Sequence, residues 1–247
     1  MDAIAEFFRW LADAHKINYS IFYDAFDRKR FLLGLQTTIY LSVVCIVLSL
    51  VLGVIGAWMQ GARSGVARAL VQGYVQFFRN TPPLVQLAFF YFAVSGFLPP
   101  VMINGSLTPL VGNVGWAIIS FSLFAGAFNV EIFRSGIEAV PSATIEAAES
   151  LGYTRLRAYL YIVLPLAFRI SLPALNNNLV NLVKTTTLAY AIAVPELLYA
   201  AAQVWSEVLN VREMMNVLLV VYVIIIAILV WIMERWERAL RVPGYSV

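Results

Sequence analysis

Residues 142–165 read SATIEAAESLGYTRLRAYLYIVLP, a polar segment of Ala, Glu and Ser set between long apolar runs. The segment is too polar to enter lipid, yet it carries its own punctuation. Pro141 and Ser142 signal a helix start, with Ser142 as the expected N-cap. Gly152 signals the stop, because glycine tolerates the left-handed conformation just past a helix end. Thr154 then caps a second helix, RLRAYLYIVLPLAF. Two helices joined by a sharp turn at Gly152 are therefore expected. On the first, Ile145, Ala148 and Leu151 share a face by three-residue spacing, while Glu146 and Glu149 point elsewhere. Adjacent Ala147 and Ala148 leave a surface that another protein can approach closely; a connector packed on its own bundle fits the same pattern.

What surrounds this island fixes its setting. Of 247 residues, 61% are hydrophobic and only 13% charged, and the mean hydropathy is +0.80. A soluble domain carries about 25% charged residues, so the chain reads as an all-α, polytopic membrane protein. Five apolar segments are long enough to cross a bilayer: about 31–59, 70–97, 114–133, 175–194 and 217–233. Helices are required, since every backbone polar group in lipid must be satisfied internally. The net charge of +3 is too small and too scattered for a nucleic-acid-binding face. Cys45 is the only cysteine and His15 the only histidine, so neither an intrachain disulfide nor a zinc site is expected. The N-terminus carries Asp2 and Glu6 and lacks the apolar core of a cleaved signal peptide.

Loop charge sets direction. Arg63 and Arg68 follow span one; Arg134, Arg155 and Arg157 lie between spans three and four; Arg235, Arg238 and Arg241 follow span five. The intervening loops hold Glu196, Glu207 and Glu213 against Arg212. The positive-inside rule therefore places the C-terminus and the 135–174 loop in the cytoplasm and the N-terminus outside. Arg28, Lys29 and Arg30 stand against this assignment, partly offset by Asp24 and Asp27. Ile4, Phe7, Phe8 and Leu11 recur at helical spacing, which fits an amphipathic helix on the outer membrane surface or one packed on neighbouring loops.

Span four is the chemical outlier. Asn176, Asn177, Asn178, Asn181, Lys184 and Thr185 to Thr187 are costly in lipid and must face the bundle or a wet cavity. Asn177, Asn181 and Lys184 fall on one face, with Asn178 beside it. Amides both donate and accept, which suits a zwitterionic solute. Asn177, Asn178 and Asn181 are thus candidates for the substrate pathway, with interhelical glue as the other reading; Lys184 is read as structural. Glu131 and Arg134 are expected to pair, and Pro82-Pro83 to start a helix or kink span two.

The fixed positions Glu146-Ala147-Ala148, Gly152, Ile162, Leu164 and Pro165 match the EAA motif of binding-protein-dependent ABC importers. The chain is similar to their transmembrane permease subunits, in the polar amino-acid and opine subfamily. Gly34-Leu35-Gln36-Thr37-Thr38 resembles the subfamily's opening, and Phe78 to Gln86 its second-span signature. Asn181 to Leu188 resembles its lysine segment, and Arg241-Val242-Pro243-Gly244 its ending. The resemblance covers residues 31–247, leaving 1–30 as an N-terminal periplasmic or interfacial segment. It implies a type I ABC importer transmembrane fold in the bacterial inner membrane. It implies that Glu146, Ala147, Ala148, Leu151 and Gly152 form the coupling helix seated on a cytoplasmic ATPase dimer. A second permease subunit, identical or homologous, and an extracytoplasmic solute-binding protein complete the implied assembly, and the cargo is a small polar solute, an amino acid or opine. The chain has no GxxxxGK[ST] segment of its own, so it is expected to be non-catalytic, to bind no cofactor, and to leave ATP and Mg to the partner. An ATP-independent carrier or channel is the alternative; it leaves the EAA spacing unexplained.

Overall fold

Two prolines decide how the apolar runs are cut into helices. The computed structural model describes residues 2–62, 64–103 and 105–240; Arg63, Arg241 and the Arg-Val-Pro-Gly ending lie outside them. Helix α1 spans Asp2–His15, and a short 3-10 turn, Ser20–Phe22, leads into α2, Ala25–Gln60. The boundary expected at residue 30 therefore falls inside α2. Helix α3 covers Gly65–Asn80 and α4 Pro83–Ala88, the latter running on through a π turn and a 3-10 turn to Phe97. Strands β1 (Val101–Ile103) and β2 (Ser106–Thr108) form an antiparallel hairpin, with Val101 opposite Thr108. Then come α5 (Asn113–Glu138), α6 (Ser142–Ser150), α7 (Arg155–Ala158), α8 (Leu164–Thr185), α9 (Leu197–Val208) and α10 (Val211–Ala239).

Among the described residues, four helical stretches are long and apolar enough to cross a membrane: Ala25–Gln60, Asn113–Glu138, Arg155–Ile192 and Val211–Ala239. The expected second span differs. It is broken at Thr81, whose backbone is extended, as a residue before proline prefers. Pro83 then opens α4, where its missing N–H costs nothing. Pro83–Phe97 remains as a shorter apolar helix. The fourth span differs in the other direction: Arg155–Ile192 is one helical run of 38 residues, so the loop expected over 135–174 shrinks to the surroundings of α6. Pro165 is absorbed because the backbone widens into a π turn over Tyr159–Val163 just ahead of it, easing the ring's clash with the preceding turn.

The chain divides into two units. The first contains residues 1–44, 84–120 and 183–227. Its core gathers Ile21, Phe31, Leu197, Ala201, Val204, Met214 and Leu218. Gly34 lets α2 approach the start of α9: a Cβ there would lie 2.6 Å from Ala200 Cβ and 3.0 Å from the Glu196 carbonyl. One turn on, Thr38 Oγ1 accepts the Leu197 N–H at 3.0 Å. Glu196 caps α9, accepting from the Leu198 and Tyr199 N–H groups at 2.9 Å each and from the Tyr222 hydroxyl at 3.1 Å. Arg30 pairs with Glu207 at 2.9 Å, so one cation of the Arg28–Arg30 cluster has a local counter-charge.

The second unit contains residues 45–83, 121–182 and 228–247. Val71, Val75 and Val130 form one cluster, with Met59 and Tyr74 against it. Val140, Val163 and Ala167 form another, joined by Ile137, Ile145, Leu166 and Ile170. The Tyr74 hydroxyl donates to the Leu123 carbonyl at 2.6 Å, tying α3 to α5.

Candidate functional site

The polar island folds as a bounded helix. Pro141, extended, occupies the N-cap position and Ser142 is already helical, with no side-chain cap bond; proline's fixed geometry replaces the expected serine cap. The far end is a Schellman arrangement. The Tyr153 N–H reaches the Ala148 carbonyl at 3.1 Å and the Gly152 N–H reaches Glu149 at 2.9 Å, with Gly152 at φ +86°. Thr154 then caps α7, its side chain accepting from the Arg157 N–H.

The faces of α6 sort the sequence candidates. Ile145 packs into the Val140–Val163–Ala167 cluster and Ala148 is 2% exposed, so these two seat the helix on its own unit. Leu151 does not join them. It stands at the cap residue, where the helix has ended, and is 81% exposed. Glu146, Ala147, Glu149 and Gly152 are also accessible; of the two alanines, only Ala147 offers an open surface. A hollow of about 440 Å³ is lined by Ala143, Thr144, Ala147, Ala148, Leu151 and Ile162. A second, of about 540 Å³, lies between Leu151, Gly152, Tyr153, Arg157 and Tyr161. Leu151 thus stands as an apolar ridge between two hollows, with exposed Leu156 and Tyr161 nearby in sequence.

The α8 asparagines divide. Asn177 and Asn181 are exposed, as is Lys184 on the same helical face. Asn178 is buried and turned into the second unit. Its amide donates to the Ala125 carbonyl at 3.1 Å and to Asn129 Oδ1 at 2.8 Å. Asn129 in turn donates to Ser49 Oγ at 3.2 Å. These bonds join α8, α5 and α2 through side chains that would otherwise be unsatisfied in an apolar interior. Asn178 is thus bonded as interhelical glue would be, whereas Asn177 and Asn181 present accessible amides.

Comparison with known proteins places this architecture. Residues 49–242 match the family model described as "Binding-protein-dependent transport system inner membrane component". The chain belongs to that family. Among its relatives, the probable amino-acid permease protein YxeN of Bacillus subtilis is 30% identical over 210 residues, covering 85% of this chain and 91% of that protein. The L-cystine transport system permease protein TcyB of the same organism is 33% identical, covering 72% and 71%. The glutamate/aspartate import permease protein GltJ of Escherichia coli is 27% identical, covering 85% and 87%. An amino acid ABC transporter crystallised with histidines shares the fold, with a TM-score of 0.76 at 24% identity over 86% of this chain and 94% of that one. The MetNI methionine ABC transporter aligns with a TM-score of 0.67 at 22% identity, covering 86% and 96%. The all-α, multi-pass, type I importer fold and the inner-membrane setting follow.

In this permease, a charge cluster at the end of α5 exceeds the pair expected from sequence. Arg134 bonds Glu131 at 2.9 Å and Glu138 at 2.7 Å. Glu131 also accepts from Gln60 at 3.3 Å, and Arg79 lies 3.8 Å away. Arg79 sits over the Phe128 ring at 5.3 Å. Residues of α2, α3 and α5 thus converge on one carboxylate, around a cavity of about 360 Å³ lined by Gln60, Arg68, Gln72, Gln76, Glu131 and Arg134 among others. Sequence reasoning missed Asn129 and Gln60. Asn129 left a signal, since a lone amide within the apolar run FAGAFNVEIF needs a buried partner.

Proposed function

We propose that this permease is the membrane half-pathway of an ATP-driven amino-acid importer, worked from the cytoplasm through α6. The observation that carries the reading is the Gly152-terminated α6, seated by Ile145 and Ala148 while Leu151 projects, 81% exposed, between two hollows. A helix anchored on one side and presenting an apolar ridge on the other transmits force as a rigid body. The next helical run begins at Arg155 and continues to Ile192, so a push on the loop reaches Asn177 and Asn181 along one continuous helix. The ATPase is a separate dimer holding ATP and Mg, and this chain itself is non-catalytic. A second permease subunit completes the pathway, and an extracytoplasmic solute-binding protein delivers cargo. The relatives named for amino acids, cystine and glutamate/aspartate support an amino acid as solute. Asn177 and Asn181 supply neutral donors and acceptors to it. The N-terminus lies outside, and the Arg30–Glu207 pair weakens the main charge argument against that orientation.

The test is reconstitution with the cognate ATPase and binding protein. Leu151→Asp is expected to lose ATPase co-purification, and Glu146→Lys to keep assembly while losing solute-stimulated hydrolysis. Solute uptake into vesicles that persists without any ATPase would establish an ATP-independent carrier and end the proposal. Unchanged apparent affinity in Asn177→Ala and Asn181→Ala would remove those two residues from the pathway.

A further inference from the structure

Helix α1 precedes the stretch matched by the family model, which begins at residue 49. At 100° per residue, its side chains fall into three sectors. Glu6, Arg9 and Asp13 occupy one narrow arc and are exposed. Ala5, Phe8, Leu11 and Ala12 occupy a second and are half-buried. This sector docks on the protein: the Phe8 ring stacks on Phe22 at 4.3 Å and meets Tyr19 edge-on at 5.8 Å. At its border, the Arg9 guanidinium lies 5.7 Å over the Tyr23 ring. The third sector holds Ala3, Phe7, Trp10 and Ala14; among the described residues only α1 itself touches its rings, the Trp10 ring meeting His15 edge-on at 5.2 Å. Phe7 is 53% and Trp10 55% exposed; Ile4, which falls between Leu11 and Phe8 around the helix but lies nearer its free end, is 60% exposed.

We infer that α1 lies in the plane of the membrane interface, with the Phe7–Trp10–Ala14 sector buried at the boundary between lipid headgroups and acyl chains. Such a helix beside a protein wall needs three faces: one for water, one for the wall and one for lipid. The three sectors meet those needs in turn. Lipid is the occupant the surface favours over a protein. The uncovered sector carries no charge or amide to register a protein partner, and it pairs a tryptophan with a phenylalanine, side chains suited to the interface. The apolar exposure also continues through Phe22 and Phe26 to Leu32 and Leu33, the opening turns of the spanning helix α2. The turn on which α1 docks is itself fixed. Asn210, between α9 and α10, donates to the Asn18 carbonyl at 2.9 Å. Helix α1 is therefore a lipid-seated brace for the α9–α10 junction.

The test uses the full-length chain in lipid nanodiscs, with Cys45→Ser as background and a nitroxide at Phe7→Cys, Trp10→Cys or Asp13→Cys. It requires neither ATPase nor solute. Collision with oxygen is expected to exceed collision with a water-soluble nickel chelate severalfold at positions 7 and 10, with the order reversed at 13. A label at Ala14→Cys repeats the measurement in the same sector without removing an aromatic. Nickel exceeding oxygen at 7, 10 and 14 would put the sector in water and overturn the inference. Protection from both reagents would mean a protein cover, a second copy of the chain, and would overturn it equally.

Discussion

Gly34→Ala tests whether the opening of α2 is a packing device. The added Cβ would lie 2.6 Å from Ala200 Cβ, 3.0 Å from the Glu196 carbonyl oxygen and 3.2 Å from Leu197 Cα. Ordinary carbon contacts are about 3.5–4.0 Å, so the closest overlap is about 1 Å. Two of the three neighbours are backbone atoms at the start of α9, and no flexible side-chain tip is available to yield. Helix propensity pulls the other way, because alanine is about 1 kcal/mol better than glycine in a helix interior. Overpacking of a rigid contact costs about 1–3 kcal/mol. Moving α9 would also disturb the Thr38–Leu197 bond and the Glu196 cap, so the steric loss wins, by about 1–2 kcal/mol. Gly73→Ala is the control: that glycine is in α3, and a methyl added there would meet nothing within 4 Å, so only the propensity gain remains. Thermal unfolding of the purified chain at a fixed scan rate should show a lowered midpoint for Gly34→Ala and an unchanged or raised one for Gly73→Ala. A Gly34→Ala midpoint equal to that of Gly73→Ala would refute the close-approach argument.

Three further outcomes follow from the same geometry. Gly152→Ala forces a methyl into the left-handed region at φ +86°, at about 1–2 kcal/mol; Gly152→Asn should be better tolerated, and solute-stimulated ATP hydrolysis in the two variants should rank in that order. Asn178→Leu strips the donor from the Ala125 carbonyl and Asn129 Oδ1, so thermal stability should fall by about 1–3 kcal/mol while apparent solute affinity in surviving protein stays unchanged. Burial raises the Glu196 carboxyl above the ordinary carboxylate value, outweighing the helix N–H and Tyr222 hydrogen bonds that lower it. The folded state then holds this proton more tightly than the unfolded state. Its contribution is full below the unfolded pKa, declines as pH rises towards the raised value, and is flat above it. Glu196→Gln should remove that slope from a plot of unfolding midpoint against pH.

The bilayer-length apolar runs, the polar island between them and its Gly152 stop were legible from residue type and spacing, because each depends on local chemistry. The two span corrections depend on proline context. Proline at residue 83 can open a helix after an extended Thr81, whereas Pro165 is carried through by a π turn. The sequence allows Pro82-Pro83 to start a helix or kink the span and carries Pro165 inside a helix, but neither proline tells how far the helix beyond it runs. Leu151 was misplaced for a related reason. Three-residue spacing projects it onto the Ile145–Ala148 face only if the helix continues, and at the cap it no longer does.

The asparagines of α8 mark where periodicity stops being informative. A polar cluster in a spanning helix states that water or a partner must exist, but not which side chain meets which. Asn177 and Asn178 are adjacent, about 100° apart on the helix, and that rotation alone separates an exposed amide from one locked to Asn129 and Ala125. Deciding between them requires the position of α5, which no residue of α8 encodes. The same division runs through the segments that carry the family resemblance. Gly34 and Thr38 serve contacts with α9, and Ala148 seats α6, whereas Glu146, Leu151, Asn177 and Asn181 are accessible from outside the unit. A motif match therefore identifies the machine, and burial identifies which of its residues a partner or a solute can reach.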